Sequence, residues 1–301
     1  MGEITALLSI TLKNNYVTKG VTVTGFKIGI CGCGWLGTSL AKQLLAAGHH
    51  VVGTKRDAAD ARALSETLGC DVVPFDVMKP DYTSAASLLG CDIVVINIAA
   101  GRRNADFNAY QAAMTAFIDT LFAAEVKHVL FISTTSVYGD LKGQVTEHSM
   151  PAPQTASGKA HHAIEAHLRA HYGNTSTVLR LAGLIGGDRH PSKTLAGRSD
   201  LAGANEPVNL VHRADVISTI AAIVHQQQWG HTFHLCAELH PPKATYYPWA
   251  AREMGLTPPQ FTVSAGDGKW IDASETLKAL GLTLRYGSPY QMIANGAVSP
   301  D

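Results

Sequence analysis

The chain has no net charge: 24 Lys and Arg offset 24 Asp and Glu over its 301 residues. No long-range field therefore draws it to nucleic acid or to an anionic membrane surface. Nor does any apolar run approach the ~20 residues of a transmembrane helix. Cysteine is scarce. The five copies (Cys31, Cys33, Cys70, Cys91 and Cys236) lie in or beside apolar runs without C-x-x-C spacing. An odd number so placed reads as reduced thiols in a cytoplasmic protein. Internal repeats and low-complexity tracts are absent. Residues 1–25 lack the basic start and long apolar core of a secretory signal. They are expected to form an extension outside the fold, flexible or packed as an extra strand.

Glycine, by contrast, is concentrated early, in Gly32-Cys33-Gly34-Trp35-Leu36-Gly37. Ile28 and Ile30 precede it as a strand-like run, and Leu36, Leu40 and Leu44 follow at helical spacing. His50-Val51-Val52-Gly53 then closes a βαβ unit. In that context G-x-G-x-x-G predicts a dinucleotide site. Gly32 allows the tight turn, Gly34 lets a pyrophosphate approach the backbone, and Gly37 lets the helix pack on the strand. The helix start, at Trp35 and Leu36, offers unpaired N–H groups and a partial positive charge.

Strand-like runs and helical patterns alternate onward. Helices are predicted near 58–68, 85–89, 107–124 and 158–172, and strands at 70–75, 93–98, 128–133 and 177–181. Short continuous apolar runs alternating with helices imply a parallel sheet covered on both faces. Past 186 the order loosens around a strand near 208–211, a helix at 214–226, a strand at 232–235 and helices at 247–254 and 274–280. The expected class is α/β: a doubly wound parallel sheet (Rossmann fold) with a small C-terminal substrate lobe. The expected division is 1–25 extension, 26–183 NAD(P)-binding domain, and 184–301 smaller lobe with some segments returning to the sheet.

Further motifs lie downstream. Ser133-Thr134-Thr135-Ser136-Val137-Tyr138-Gly139-Asp140 resembles the Ser-Ser/Thr-x-x-Val-Tyr-Gly segment of extended short-chain dehydrogenases/reductases, the nucleotide-sugar epimerase/dehydratase relatives. Arg180-Leu181-Ala182-Gly183-Leu184 and Asn209-Leu210-Val211-His212, with Gly34-Trp35-Leu36-Gly37, resemble segments of the YeeZ-like group of NAD(P)-dependent oxidoreductases. The resemblance runs from Phe26 to the C-terminus. It implies a Tyr-x-x-x-Lys pair assisted by an upstream Ser or Thr. The upstream position falls on Thr134, but the tyrosine and lysine positions fall on Ser157 and His161. A serine hydroxyl is a far weaker acid than a phenol of pKa ~10 and cannot simply replace it. Lys159, two residues along the helix from Ser157, points the other way, whereas Ser157 and His161 share a face.

Two readings of His161 stay open: a proton donor or base paired with Ser157, or one exposed histidine among 14. His161-His162-x-x-Glu165-x-His167 lacks a recognised metal-ligand spacing, so a solvated helix face is preferred and no metal is expected. Lys55 and Arg56 follow the second strand where an NAD-specific site would present an acid, which favours NADP, with NAD as the alternative. Asp76 stands where the resemblance places an acid near the adenine, and could equally cap the following turn. Ala99 and Ala100 stand where relatives keep small residues beside the cofactor. Arg102 and Arg103 are candidates for pairing with an anionic small-molecule substrate or are plain surface arginines. Asn209 and His212 stand where relatives line the substrate pocket. Two functions follow: an NAD(P)-dependent oxidoreductase or epimerase/dehydratase-like enzyme with a modified proton-transfer apparatus, or a non-catalytic NAD(P)-binding regulatory or scaffold protein. No oligomeric state is legible.

Overall fold

A computed structural model describes residues 25–101, 105–262, 267–294 and 297–299. Residues 1–24 of the expected extension, Arg102 and Arg103 lie outside the described residues. The first half of the fold alternates β1 (Lys27–Cys31), α1 (Trp35–Ala46), β2 (His50–Lys55), α2 (Ala58–Leu68), β3 (Asp71–Pro74), α3 (Ala86–Leu89), β4 (Ile93–Ile96), α4 (Phe107–Ala123) and β5 (His128–Thr134). There follow β6 (Gly143–Val145), α5 (Ala156–Tyr172), β7 (Ser176–Leu181), β8 (Gly183–Ile185), α6 (Ser192–Leu195), β9 (Leu210–His212) and α7 (Arg213–His225). The chain then forms β10 (Thr232–Leu235), α8 (Lys243–Glu253), β11 (Lys269–Ile271), α9 (Ser274–Leu280) and a terminal hairpin of β12 (Ile293–Ala294) and β13 (Ala297–Val298).

Seven strands form one sheet in the order β10-β7-β5-β4-β1-β2-β3, and every pairing in it is parallel. The fold class is the doubly wound α/β sheet that the alternating pattern predicts. All four residues of β4 are buried, as a strand covered on both faces requires. On one face pack α1, α2, α7 and α9, with Leu36, Leu40, Leu44, Ile220 and Leu277 turned inward. On the other lie α3, α4 and α5, presenting Leu88, Met114, Phe117 and Ile164. A third cluster built from Ile185, Leu210, Tyr246, Tyr286 and Met292 knits the C-terminal segments together. Among the described residues no helix is long and apolar enough to cross a membrane.

Several short elements escape the sequence pattern. The parallel pairs β8–β9 and β6–β11 involve three-residue strands, too short for a period to show. Helix α8 begins at Lys243, a full turn before the expected Tyr247, and contains Pro248. A proline lacks the N–H that an interior turn needs but is tolerated in the first turn, and Pro248 lies inside the helix rather than in its first turn.

Beneath the C-terminal edge of the sheet lies a buried polar network. Arg180 on β7 donates from Nη2 to Glu165 Oε2 of α5 at 2.6 Å and from Nη1 to the Tyr138 hydroxyl at 2.8 Å. The Ser133 hydroxyl donates to Glu165 Oε1 at 2.5 Å. Glu165 is fully buried and His161 nearly so, which overturns the expectation of a solvated helix face. The helix turns these residues inward because Arg180 neutralises one and aromatic rings cover the other. Tyr138 also meets His234 Nδ1 at 3.3 Å, so the Val-Tyr-Gly tyrosine is a structural member of this network.

Removing one partner of such a pair strands the other charge in the core. Arg180→Ala is expected to cost about 3–5 kcal/mol in urea unfolding, with part of the loss recovered in Arg180→Met/Glu165→Leu. Acid provides a second check. Burial, aided by the Lys193 charge, lowers the His190 pKa to about 4. The unfolded chain, with an ordinary histidine near 6.5, then binds more protons across that window. Stability is therefore expected to fall by up to about 3 kcal/mol from this group as pH drops from 6.5 to 4, and His190→Gln should lose that portion.

Candidate functional site

The fingerprint turn is tied down at several points. Gly32 N–H donates to Thr54 Oγ1 at 2.9 Å, Cys33 N–H donates to Thr54 O at 2.9 Å, and Asn97 Nδ2 donates to Gly32 O at 3.2 Å. Gly32 has φ +105°, and a Cβ there would strike Asn97 O at 2.5 Å. A Cβ on Gly37 would lie 2.3 Å from Gly32 O, so helix and turn touch backbone to backbone. On Gly34 a Cβ would meet nothing within 4 Å. That glycine faces open space at the start of α1, a helix whose first N–H groups receive no side-chain cap.

The space belongs to a cavity of about 1620 Å³ over the C-terminal ends of β1, β2, β3 and β4. Gly32, Gly34, Trp35, Leu36, Lys55, Arg56, Asp76, Ala99 and Ala100 all line it, while Gly37 sits behind the wall. Asp57 also lines it, but its Oδ1 caps α2 by accepting from Ala59 N–H at 2.8 Å and Asp60 N–H at 3.0 Å. Asp76 Oδ1 accepts from Met78 N–H at 3.0 Å, closing a turn of its own. The cradle, the uncapped helix start and the volume fit a dinucleotide. Burial pushes the Cys31 thiol up to about 12 and that of Cys33 to about 11, so neither fingerprint cysteine is a nucleophile.

A second cavity, of about 470 Å³, opens beside the ends of β5 and β7. Thr134, Asn209, Lys142, Lys243 and Lys269 line it. Gly183 lines this cavity and Leu184, the next residue, lines the first. Thr134 Oγ1 accepts from Ser136 N–H at 3.1 Å, which fixes its rotamer. Asn209 is committed to structure: its Nδ2 donates to Lys269 O at 2.9 Å, and its Oδ1 accepts from Ile271 N–H at 2.9 Å. Lys243 pairs with Glu206 at 2.5 Å, while Lys269 donates to Gly139 O and has its pKa lowered by burial.

Other expected site residues lie elsewhere. Ser157 and His161 line neither cavity. His161 is buried, not exposed, with its ring 5.8 Å from Phe131 and 6.0 Å from Tyr110. Its Nδ1 donates to the Ser157 backbone oxygen at 2.8 Å, not to the hydroxyl. Burial lowers its pKa and keeps the ring neutral. His212 is fully buried and lines neither cavity. Its Nδ1 accepts from Ala214 N–H at 3.2 Å to cap α7, and its Nε2 donates to Ser299 O at 2.9 Å. A histidine one residue before a helix carries a capping signal, which outweighs the pocket position suggested by resemblance. Sequence reading also missed Asn97, Arg189 and the three lysines. Only Asn97, ending an apolar strand, offered a local signal.

The family described as NAD(P)H-binding matches residues 32–227, and the chain belongs to it. Protein YeeZ of Escherichia coli K12 is 36% identical over 274 residues, covering 88% of this chain and 98% of that protein. Among solved structures, a Methylobacillus flagellatus protein provisionally assigned as an NAD-dependent epimerase/dehydratase is 27% identical, with TM-score 0.70, covering 87% of this chain and 94% of the other. The UDP-glucuronic acid 4-epimerase of Bacillus cereus, solved with NAD, shares the fold at 19% identity and TM-score 0.69, covering 87% and 93%.

The glycines make separable predictions. Gly37→Ala should lower the melting temperature markedly, because backbone must move. Gly34→Ala should leave melting of the free protein unchanged while weakening dinucleotide binding, read by calorimetric titration, since its methyl occupies only the open cradle.

Proposed function

We propose that the protein is an NADP(H)-dependent oxidoreductase or epimerase/dehydratase-like enzyme acting on a small-molecule substrate. The observation that carries this reading is the junction of the two cavities. Consecutive residues Gly183 and Leu184 line one each, along the sheet edge where ligands of such folds bind. The fingerprint turn and the α1 start would hold the pyrophosphate, and Asp76 the adenine end. Lys55 and Arg56 would hold the ribose 2′-phosphate, because Asp57, the nearest acid, is engaged as a helix cap. A nicotinamide dinucleotide bound there would supply or accept a hydride. Thr134, its hydroxyl oxygen already accepting from Ser136, can donate its proton outward and orient a substrate oxygen. Lys142, Lys243 and Lys269 line the second cavity together with Asp140, Glu206 and Asp267, so its charge is balanced and a polar substrate could meet donors and acceptors of both signs.

A second reading, a binding module without turnover, is favoured by one observation. The serine and histidine at the family's Tyr and Lys positions line neither cavity. Binding and exchange separate the two. Titration should give NADPH the higher affinity, and Lys55→Ala/Arg56→Ala should erase about tenfold of it while sparing NADH. A clear NADH preference would overturn the cofactor assignment. Hydride exchange with any of a panel of polar alcohols and ketones, followed by nicotinamide absorbance and lowered in Thr134→Ala, supports the enzyme. Firm binding with no exchange across the panel supports the module.

A further inference from the structure

Trp35, the first residue of α1, has two guanidinium groups over its ring, Arg213 at 4.6 Å and Arg189 at 5.4 Å from the centroid. Both come from segments far along the chain. Arg213 belongs to α7 and also donates from Nη1 to Trp35 O at 3.3 Å. Arg189 ends a tight turn that follows β8. Gly186 N–H donates to Arg189 O at 3.1 Å, and Arg189 N–H donates to Gly186 O at 2.9 Å. Gly186 has φ +147°, and a Cβ there would lie 2.9 Å from Arg213 Cβ and 3.2 Å from Trp35 Cζ2. The turn is thus built directly onto the tryptophan. Its far side is anchored as well, because His190 Nε2 donates to the buried Tyr246 hydroxyl at 3.0 Å.

Arg189 itself is exposed and lines the larger cavity with Trp35, Leu36 and Leu184. Among the described residues no carboxylate lies within ion-pair distance of it, and neighbouring Asp188 faces Lys193 at 3.6 Å. A cation–π contact holds a guanidinium in place without neutralising it or using up its N–H donors. The result is an unpaired, positioned fork of donors beside the uncapped start of α1.

We infer that Arg189 is a cofactor-binding residue, closing on the diphosphate of the dinucleotide from the side opposite the glycine turn. This rests on the dinucleotide reading of the first cavity. Guanidinium and phosphate oxygens match as a bidentate pair, and the helix start supplies the other half of the anion site. The segment just before this turn also contributes the cavity junction, so the cofactor would join the C-terminal segments to the glycine turn.

The diphosphate is common to NADPH and NADH, whereas the 2′-phosphate is not, which makes the inference separable by titration calorimetry. Arg189→Ala should weaken both dinucleotides alike, by about tenfold, the worth of a hydrogen bond to a charged group. Arg189→Lys should restore part of the loss, and neither exposed-site change should alter the melting temperature of the free protein. Unchanged affinity for both dinucleotides in Arg189→Ala would overturn the inference while leaving the cavity assignment standing. A loss confined to NADPH would also overturn it, by moving Arg189 to the 2′-phosphate. Failure of the unaltered protein to bind either dinucleotide would instead sink the cavity assignment, and the inference with it.

Discussion

The contact of Gly37 with the carbonyl of Gly32 is the constraint on which the cofactor side of the molecule depends. A side chain at position 37 would overlap that oxygen, and the helix would have to lift from β1. Lifting it would move the first N–H groups of α1 away from the open ground in front of Gly34. The same approach sets Trp35 at the helix start, where Arg189 and Arg213 lie over its ring. One missing Cβ therefore governs the turn, the helix direction and the placement of two distant arginines.

On the other half of the sheet the corresponding role falls to a charged pair. Glu165 and Arg180 join α5 to β7, with Ser133 and Tyr138 satisfying their remaining groups. Burial of two charges is tolerated only with this completeness of hydrogen bonding. Thr134 follows directly on Ser133, so the network steadies the end of β5 from which Thr134 reaches the second cavity. Tyr138 spends its hydroxyl inside the network and has none to offer a substrate.

Much of this was legible in the primary structure. Alternating apolar runs and helical periods announced the parallel sheet, and most element boundaries fell within a residue or two of those observed. The glycine spacing announced the turn because each glycine there answers a local steric demand. Lys55, Arg56, Asp76, Ala99 and Ala100 also came together as expected, since each follows a strand whose C-terminal end opens on the same groove. His161 and His212 did not behave as expected. A histidine's chemistry depends on what covers it and what its two nitrogens meet, and neither property has a period. For His161 the covering is Phe131 and Tyr110, and for His212 the partners are Ala214 and Ser299.

By itself the sequence determined the doubly wound sheet, the glycine turn and the residues that line the first cavity at the strand ends, because these follow from spacing within single βαβ units. The tertiary structure decided the rest: which charges are buried in pairs, where the second cavity meets the first, and which two distant arginines lie over Trp35. Arg213 reaches Trp35 from 178 residues along the chain, and even Glu165 and Arg180, 15 residues apart, meet only because α5 packs on β7. Distance along the chain carries no periodic signal of who will meet whom.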